Sequence, residues 1–207
     1  MRLDGIATDR LVPGVGGVDE AGRGPLAGPV VAAVVVFSAD QTIRGVRDSK
    51  QLSAVRRETL AEQIKEQAVG WALGQATVEE IDALNILQAT MLAMRRAIEG
   101  LGFSPERLQF DGDRAPVLRN YRGVAETIVG GDRTCVAISA ASILAKVDRD
   151  REMLALDRNF PNYGFARHKG YATAEHRAAL RRFGPCPVHR HSFRPVRLAM
   201  NSRGHDT

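Results

Sequence analysis

Cysteine is nearly absent from the chain. Cys135 and Cys186 are far apart and form no CxxC pair, so a disulfide framework is excluded and reduced thiols fit the pattern. Long apolar runs are missing too. The longest, Val30 to Phe37, is strand length, far short of the ~18 residues a membrane-spanning helix needs. The opening MRLDGIATDR carries Asp4 and Asp9 and lacks the continuous apolar stretch of a secretory signal, so a cytoplasmic protein with no membrane partner is the expectation. No internal repeat, low-complexity tract or linker-like run interrupts the chain. Apolar residues at 44% and charged residues at 26% exclude a disordered or fibrous protein.

What is present is enough chain, 207 residues, for a single domain with a packed core. Its charge is unevenly spread. Residues 1–150 hold 18 Lys and Arg against 20 Asp and Glu, whereas residues 151–207 hold 11 against 4. The late basic segment reads as an extension of one catalytic domain spanning 1–207, and such asymmetry suggests a polyanionic partner.

The pattern alternates strands with helices. Val12 to Val18 reads as a strand ending at Asp19-Glu20, and a glycine-rich loop then leads to the β-branched strand Val30 to Phe37. Ser53 caps a helix bearing Val55, Leu60 and Ile64, and Val69 to Ala76 reads as a short strand. Thr77 to Glu80 has capping-box spacing, followed by Ile81, Leu84, Leu87, Met91, Met94 and Ile98 at the intervals of one continuous helix. Leu108 to Phe110 and Ala125 to Val129 read as strands leading into Asp111 and Asp132. Cys135 to Leu156, free of Gly and Pro, predicts a long helix with its first half mostly buried. Thr173 caps a last firm helix ending at Gly184-Pro185, and the tail HRHSFRPVRLAM reads as irregular or weakly helical. The fold class is therefore α/β around a mixed sheet, with a basic helical part at one end.

Three strand ends carry acids: Asp19-Glu20, Asp111 and Asp132. Strand-end acids are commonly solvated loop residues. If these strands are neighbours, however, the carboxylates converge, repel one another and call for a multivalent cation. An oxygen-only donor set suits Mg²⁺ or Mn²⁺, and two such ions about 4 Å apart form the machinery of phosphodiester hydrolysis. Adjacent Asp19 and Glu20 point to opposite faces of a regular strand, so both serving one site requires a turn, which Ala21-Gly22 would allow.

The loop Gly22-Arg23-Gly24-Pro25-Leu26-Ala27-Gly28 matches neither a Walker A sequence nor GxGxxG, so it is a phosphate cradle or simply a tight turn. Lys50, Lys146 and Arg167-His168-Lys169 are candidate phosphate contacts, and Tyr171 is a candidate stacking platform. His168 and His176 read as phosphate-facing or structural. Cys186, His189 and His191 hint at zinc without a fourth ligand. A non-catalytic nucleic-acid binder and a nucleotide-binding transferase are the rival readings. A pure binder gains nothing from acids facing phosphates, and the transferase lacks its Gly-Lys-Ser/Thr.

The segments GVDEAGRGPLAGPVV (17–31), DSKQLS (48–53), DG (111–112), GGD (130–132), ISAASILAKVDRD (138–150), YGFARHKGYATAEH (163–176) and HSFRPV (191–196) together resemble the bacterial ribonuclease HII family of type 2 ribonucleases H. The resemblance implies a ribonuclease H-like fold with a five-stranded mixed sheet flanked by helices, plus a C-terminal helical region. It implies a metal-dependent endonuclease that cuts RNA in RNA–DNA hybrids and nicks duplex DNA at single embedded ribonucleotides, leaving 5′-phosphate and 3′-hydroxyl ends. It makes Asp19, Glu20, Asp111 and Asp132 the catalytic metal-binding acids, with Mn²⁺ or Mg²⁺ as cofactor. It assigns recognition of the 2′-hydroxyl to Gly22, Arg23, Gly24 and Tyr171, and phosphate contacts to Lys50, Ser139, Ser142 and Lys146. A monomer is expected. Asp113 departs from the neutral polar residue usual in the family and is expected to face solvent. Related type 3 enzymes carry an extra N-terminal domain, for which the residues before Asp19 leave no room.

Overall fold

The computed structural model describes residues 11–38, 43, 45, 46 and 53–201. Lys50 and the rest of the segment 47–52 lie outside them.

Five strands form one sheet in the order β3-β2-β1-β4-β5. They are β1 (Leu11–Ala21), β2 (Val30–Phe37), β3 (Gly70–Ala76), β4 (Ser104–Asp111) and β5 (Val124–Ile128). β1 pairs antiparallel with β2 and β2 antiparallel with β3, whereas β1–β4 and β4–β5 are parallel. β2 is buried along its whole length, which explains its unbroken apolar text. The period of two then sends Val30, Ala32, Val34 and Val36 to one face and Ala33, Val35 and Phe37 to the other.

Helices cover both faces. α3 (Ile86–Glu99) packs on the first through Ala89, Ala93, Met94, Ala97 and Ile98. α1 (Ala54–Gln67) and α5 (Val136–Asn159) cover the second through Leu60, Ile64, Ala137, Ala141 and Leu144. A Cβ at Gly17 would lie 2.0 Å from the Ala137 carbonyl carbon, so the missing side chain lets α5 rest directly on β1. That approach brings the hydroxyls of α5 to the end of β1. One smaller apolar cluster joins α5 to the C-terminal part, which comprises α6 (Phe165–His168), α7 (Ala174–Phe183) and α8 (Arg194–Asn201), and a second packs Leu26 against α7 and α8.

One expectation is corrected, and two others are made definite. The periodic segment from Ile81 to Ile98 is two helices, α2 (Val78–Leu84) and α3, because Asn85 takes φ 73° and its side chain accepts the Gln88 N–H to start α3 afresh. Side-chain periodicity survives such a break, so apolar spacing alone does not reveal it. The tail takes the helical of its two readings: Asp82 on α2 accepts the His191 and Ser192 N–H groups and the Ser192 hydroxyl at 2.6–2.9 Å, and α8 buries Val196 and Ala199. β1 stays paired with β2 through Ala21, and the turn falls at Gly22, with φ 96°, the second residue of the pair that allowed it.

Candidate active site

Parallel pairing of β1 with β4 sets Val18 beside Phe110, so Asp19 and Asp111 follow at the carboxyl ends of adjacent strands, where open α/β sheets form their sites. β5 runs alongside β4 with Ile128 paired to Asp111. The chain leaving β5 turns through Gly130 into the short helix α4 (Gly131–Thr134), whose Asp132 N–H donates to Asp111 Oδ1 at 3.2 Å. Asp19, Glu20 and Asp111 therefore gather at one rim, to which the main chain of Asp132 is tied.

Their environment is short of cations. Asp19 is 6% exposed and Asp132 5%. The Asp19 carboxyl is pushed up to about 8, first by burial and then by the neighbouring Glu20, with Asp111 adding to the effect. A hydrogen bond from Ser142 and one from the Glu20 N–H, at 2.7 Å, oppose this. Glu20 is raised as well, again chiefly by burial, against the pull of Arg23 at 3.1 Å. Arg133 stands 4.0 Å from Asp132. Like charges crowded in a poorly solvated rim are costly unless protonated or bridged by a cation.

Donor chemistry at the rim fits a hard divalent ion, since every candidate ligand is a carboxylate oxygen. Among the described residues, however, no group of three or more His, Cys, Asp or Glu side chains is already arranged to hold a metal ion. Glu20 is engaged with Arg23, so the rim is rich in donors but its side chains have yet to close on an ion.

Beside the acids lies a pocket of about 430 Å³ lined by Glu20, Gly22, Arg23, Gly24, Ser142, Lys146 and Tyr171. Residues from four separate segments meet there, Arg57 of α1 being the fourth. Lys146 pairs with Asp150 one helical turn on, at 2.6 Å. Tyr171 is 46% exposed. Its ring lies 3.8 Å from where a Gly24 Cβ would stand, an ordinary contact, so packing within the protein does not demand glycine at 24. Gly22 is different: its φ is 96° and a Cβ would strike Arg149 Nε at 2.0 Å. Asp113 is exposed, as expected.

Ser139 is placed elsewhere. It is fully buried, with its hydroxyl 2.6 Å from the Asp132 carbonyl and 3.0 Å from that of Cys135. It braces the backbone of Asp132 and does not line the pocket.

Sequence reasoning missed two buried arginines beneath the glycine loop. Arg190 donates to the carbonyls of Gly22, Arg23, Pro25, Gly28 and Pro29 at 2.6–3.1 Å. Arg149 donates to those of Ala27, Pro29 and Lys169, each at 3.1 Å. The loop's turns leave these carbonyls without strand partners, and two guanidiniums fill that deficit. Arg190 sits in the basic tail and reads there as a surface charge. Arg57 of α1, which also lines the pocket, was missed for the same reason.

This fold and this rim are those of a ribonuclease H-like nuclease. A family model described as Ribonuclease HII matches residues 16–196. The chain is 59% identical over 186 residues to the Ribonuclease HII of Paracidovorax citrulli, covering 90% of this chain and 76% of that one. It is also 59% identical over 182 residues to that of Albidiferax ferrireducens, covering 88% and 86%. Among solved structures it is similar to the ribonuclease H2 of Pyrococcus horikoshii, with TM-score 0.80, 28% identity and coverage of 93% and 100%. A Bst-RNase HIII solved in complex with Mn²⁺ shares the fold, with TM-score 0.74 at 20% identity and coverage of 95% and 72%. The chain belongs to the ribonuclease HII family and is an endonuclease of the ribonuclease H class. Among the described residues no helix is long and apolar enough to cross a membrane.

Proposed function

We propose that this protein cleaves the RNA strand of RNA–DNA hybrids and nicks duplex DNA on the 5′ side of a single embedded ribonucleotide, leaving 5′-phosphate and 3′-hydroxyl ends. One observation carries this reading: the acidic rim opens directly beside a pocket in which the glycine loop, Lys146 and Tyr171 meet, and Glu20 belongs to both.

Asp19, Glu20, Asp111 and Asp132 would hold a pair of Mn²⁺ or Mg²⁺ ions, which neutralise the phosphate and activate water. Release of Glu20 from Arg23 completes the acidic set and frees the guanidinium for a phosphate oxygen. Ser142 holds Asp19 in place, and Ser139 does the same for the Asp132 backbone. Lys146 offers its charge to a neighbouring phosphate, and Lys50 is assigned the same task. Gly22 and Gly24 expose main chain that can approach the sugar, where the 2′-hydroxyl alone separates RNA from DNA. The Tyr171 ring stacks on the following deoxynucleotide. Residues 151–207, as the basic extension of a single catalytic domain, hold the duplex backbone without reading its sequence. All four acids come from one chain, so a monomer suffices. Ribonucleotide-bearing duplexes arise where DNA is copied, so the cytoplasm is the compartment of the reaction.

The test offers three labelled duplexes, with Mg²⁺ or Mn²⁺: all DNA, DNA with one ribonucleotide, and a full hybrid. Nicking 5′ of the lone ribonucleotide with the all-DNA duplex intact is the expected result. Binding of all three with no cutting by either metal would replace the enzyme by a binding module.

A further inference from the structure

The pocket's stacking residue is not held by the pocket. Behind it, remote from solvent, lie His168, His176 and His189, with His176 and His189 fully buried. Phe165 packs edge-on against His168 and His176, and Tyr163 packs edge-on against His189. Fixed main-chain groups set every tautomer, since an N–H can only donate and a carbonyl only accept. His189 Nδ1 faces the Cys186 N–H at 2.9 Å, with the Cys186 sulfur at 3.1 Å and the Cys186 carbonyl farther off at 3.3 Å; the shortest of these contacts is the N–H donor, which puts the proton of that ring on Nε2. His176 Nδ1 lies 2.9 Å from the Tyr171 carbonyl, so Nδ1 carries the proton and Nε2 is bare. The two Nε2 atoms face each other at 3.0 Å, and these independent assignments supply the single proton that this contact needs. His168 completes the set: it accepts the Gly170 N–H on Nδ1 and donates from Nε2 to the Tyr163 carbonyl at 2.7 Å. Burial keeps the relay neutral, pushing His189 down to about 3 and lowering His176.

We propose that the buried relay from Cys186 through His189 to His176 positions the Tyr171 main chain and thereby sets how sharply the enzyme distinguishes a lone ribonucleotide from a continuous hybrid. The inference rests on the role proposed above for Tyr171. Lys169 and Gly170 both take left-handed backbone, with φ of 50° and 81°, so the chain reverses sharply just before Tyr171. The Tyr171 carbonyl is pinned twice, by His176 and by the Thr173 N–H at 2.8 Å, and its own N–H donates to the His168 carbonyl at 2.9 Å. Its ring stays half exposed. A main chain tied at both polar groups and a ring left open is how a stacking surface is held ready. Buried polar groups of this kind contribute less to stability than apolar packing of the same volume, and this relay ends at the residue next to the pocket. A zinc site does not account for it, because the facing Nε2 atoms are already satisfied by each other.

The experiment has two arms. In the parent protein with ¹⁵N-labelled histidine, nitrogen shifts at neutral pH should show His176 as the Nδ1–H tautomer and His168 and His189 as Nε2–H. Any other pattern overturns the relay regardless of activity. In the second arm, cleavage at a lone ribonucleotide is divided by cleavage of a full hybrid. His176→Gln keeps an acceptor for the His189 Nε2–H but loses the donor to Tyr171, and should lower that ratio about fivefold to tenfold, the effect of one hydrogen bond, while hybrid cleavage is unchanged. His176→Asn, whose amide can still donate to the Tyr171 carbonyl, should restore the ratio. Adding His176→Gln to Tyr171→Ala should lower it no further. If Tyr171→Ala lowers the ratio and His176→Gln does not, positioning is refuted. If Tyr171→Ala itself leaves the ratio intact, the substrate role of Tyr171 fails, and the relay's part in discrimination fails with it. An equal loss on both substrates in His176→Gln would mark the relay as packing alone.

Discussion

Asp19 and Arg190 are both buried and ionisable, one just ahead of the glycine loop in sequence and the other spanning beneath it, in opposite states of satisfaction. Arg190 meets five carbonyls, so its donors are saturated, and burial with Arg149 nearby lowers it to about 9, still charged at neutral pH. Asp19 meets one hydroxyl and one N–H and is surrounded by further acids that push it up. A saturated buried charge is a fastener. An undersatisfied one among like charges stores free energy that a ligand can release. The loop region is thus assembled before substrate arrives, whereas the rim is assembled by what it binds.

Breaking the rim should cost activity and spare the fold. Asp19→Asn and Asp111→Asn are each expected to reduce hybrid cleavage by about a thousandfold or more, with affinity for the hybrid changed only a few-fold in a gel-shift assay. Turnover near the parent's in either variant would remove that acid from the metal site.

Breaking the fastener should do the reverse. Arg190→Met strands several buried carbonyls and is expected to destabilise the protein by roughly 3 kcal/mol or more in urea unfolding. Unchanged stability combined with lost cleavage would make Arg190 part of the rim's chemistry and collapse the distinction.

The pH dependence sharpens the same contrast. The folded-state value of Asp19 lies above its ordinary one, so the native protein keeps a proton that the unfolded chain has lost. This contribution therefore falls away as pH rises from about 4 to about 8. In EDTA, the melting temperature of Asp19→Asn should gain on the parent's across that window, by a few degrees at its upper end. Millimolar Mg²⁺ should raise the parent more than the variant. Parallel curves for parent and variant would mean that Asp19 is not crowded by its neighbours.

The smallest expected effect separates two glycines of one loop. Gly22→Ala forces a side chain into Arg149 at a positive φ and should lower stability, whereas Gly24→Ala meets only the Tyr171 ring at an ordinary contact distance of 3.8 Å and should fold like the parent. Only the second tests the sugar contact cleanly: a drop in nicking at lone ribonucleotides with unchanged melting supports it, and full activity counts against it.

The strands, the three acidic strand ends, the helix caps at Ser53, Thr77 and Thr173, and the family resemblance were all legible from the text. Each depends on residues within a few positions of one another, through pleat alternation, capping geometry or motif spacing. Asn85 went unseen because a left-handed asparagine interrupts a helix without disturbing its apolar rhythm. The tail was left open between irregular and helical because the residue that ties down its start, Asp82, lies about 110 residues away in sequence. Ser139 shares the motif of Ser142, yet it lies one helical turn earlier, where its hydroxyl meets the Asp132 carbonyl.

By itself the sequence determined which side chains could carry the chemistry and which strand would be buried on both faces, since these follow from residue type and local period. Only the tertiary structure decided which acids share a rim, which arginines are fasteners inside a basic tail, and how three histidines scattered over a 22-residue stretch join into one line behind Tyr171. Those are contacts between distant segments, and their free energy comes from desolvation and hydrogen-bond saturation that exist only once the chain has closed around them.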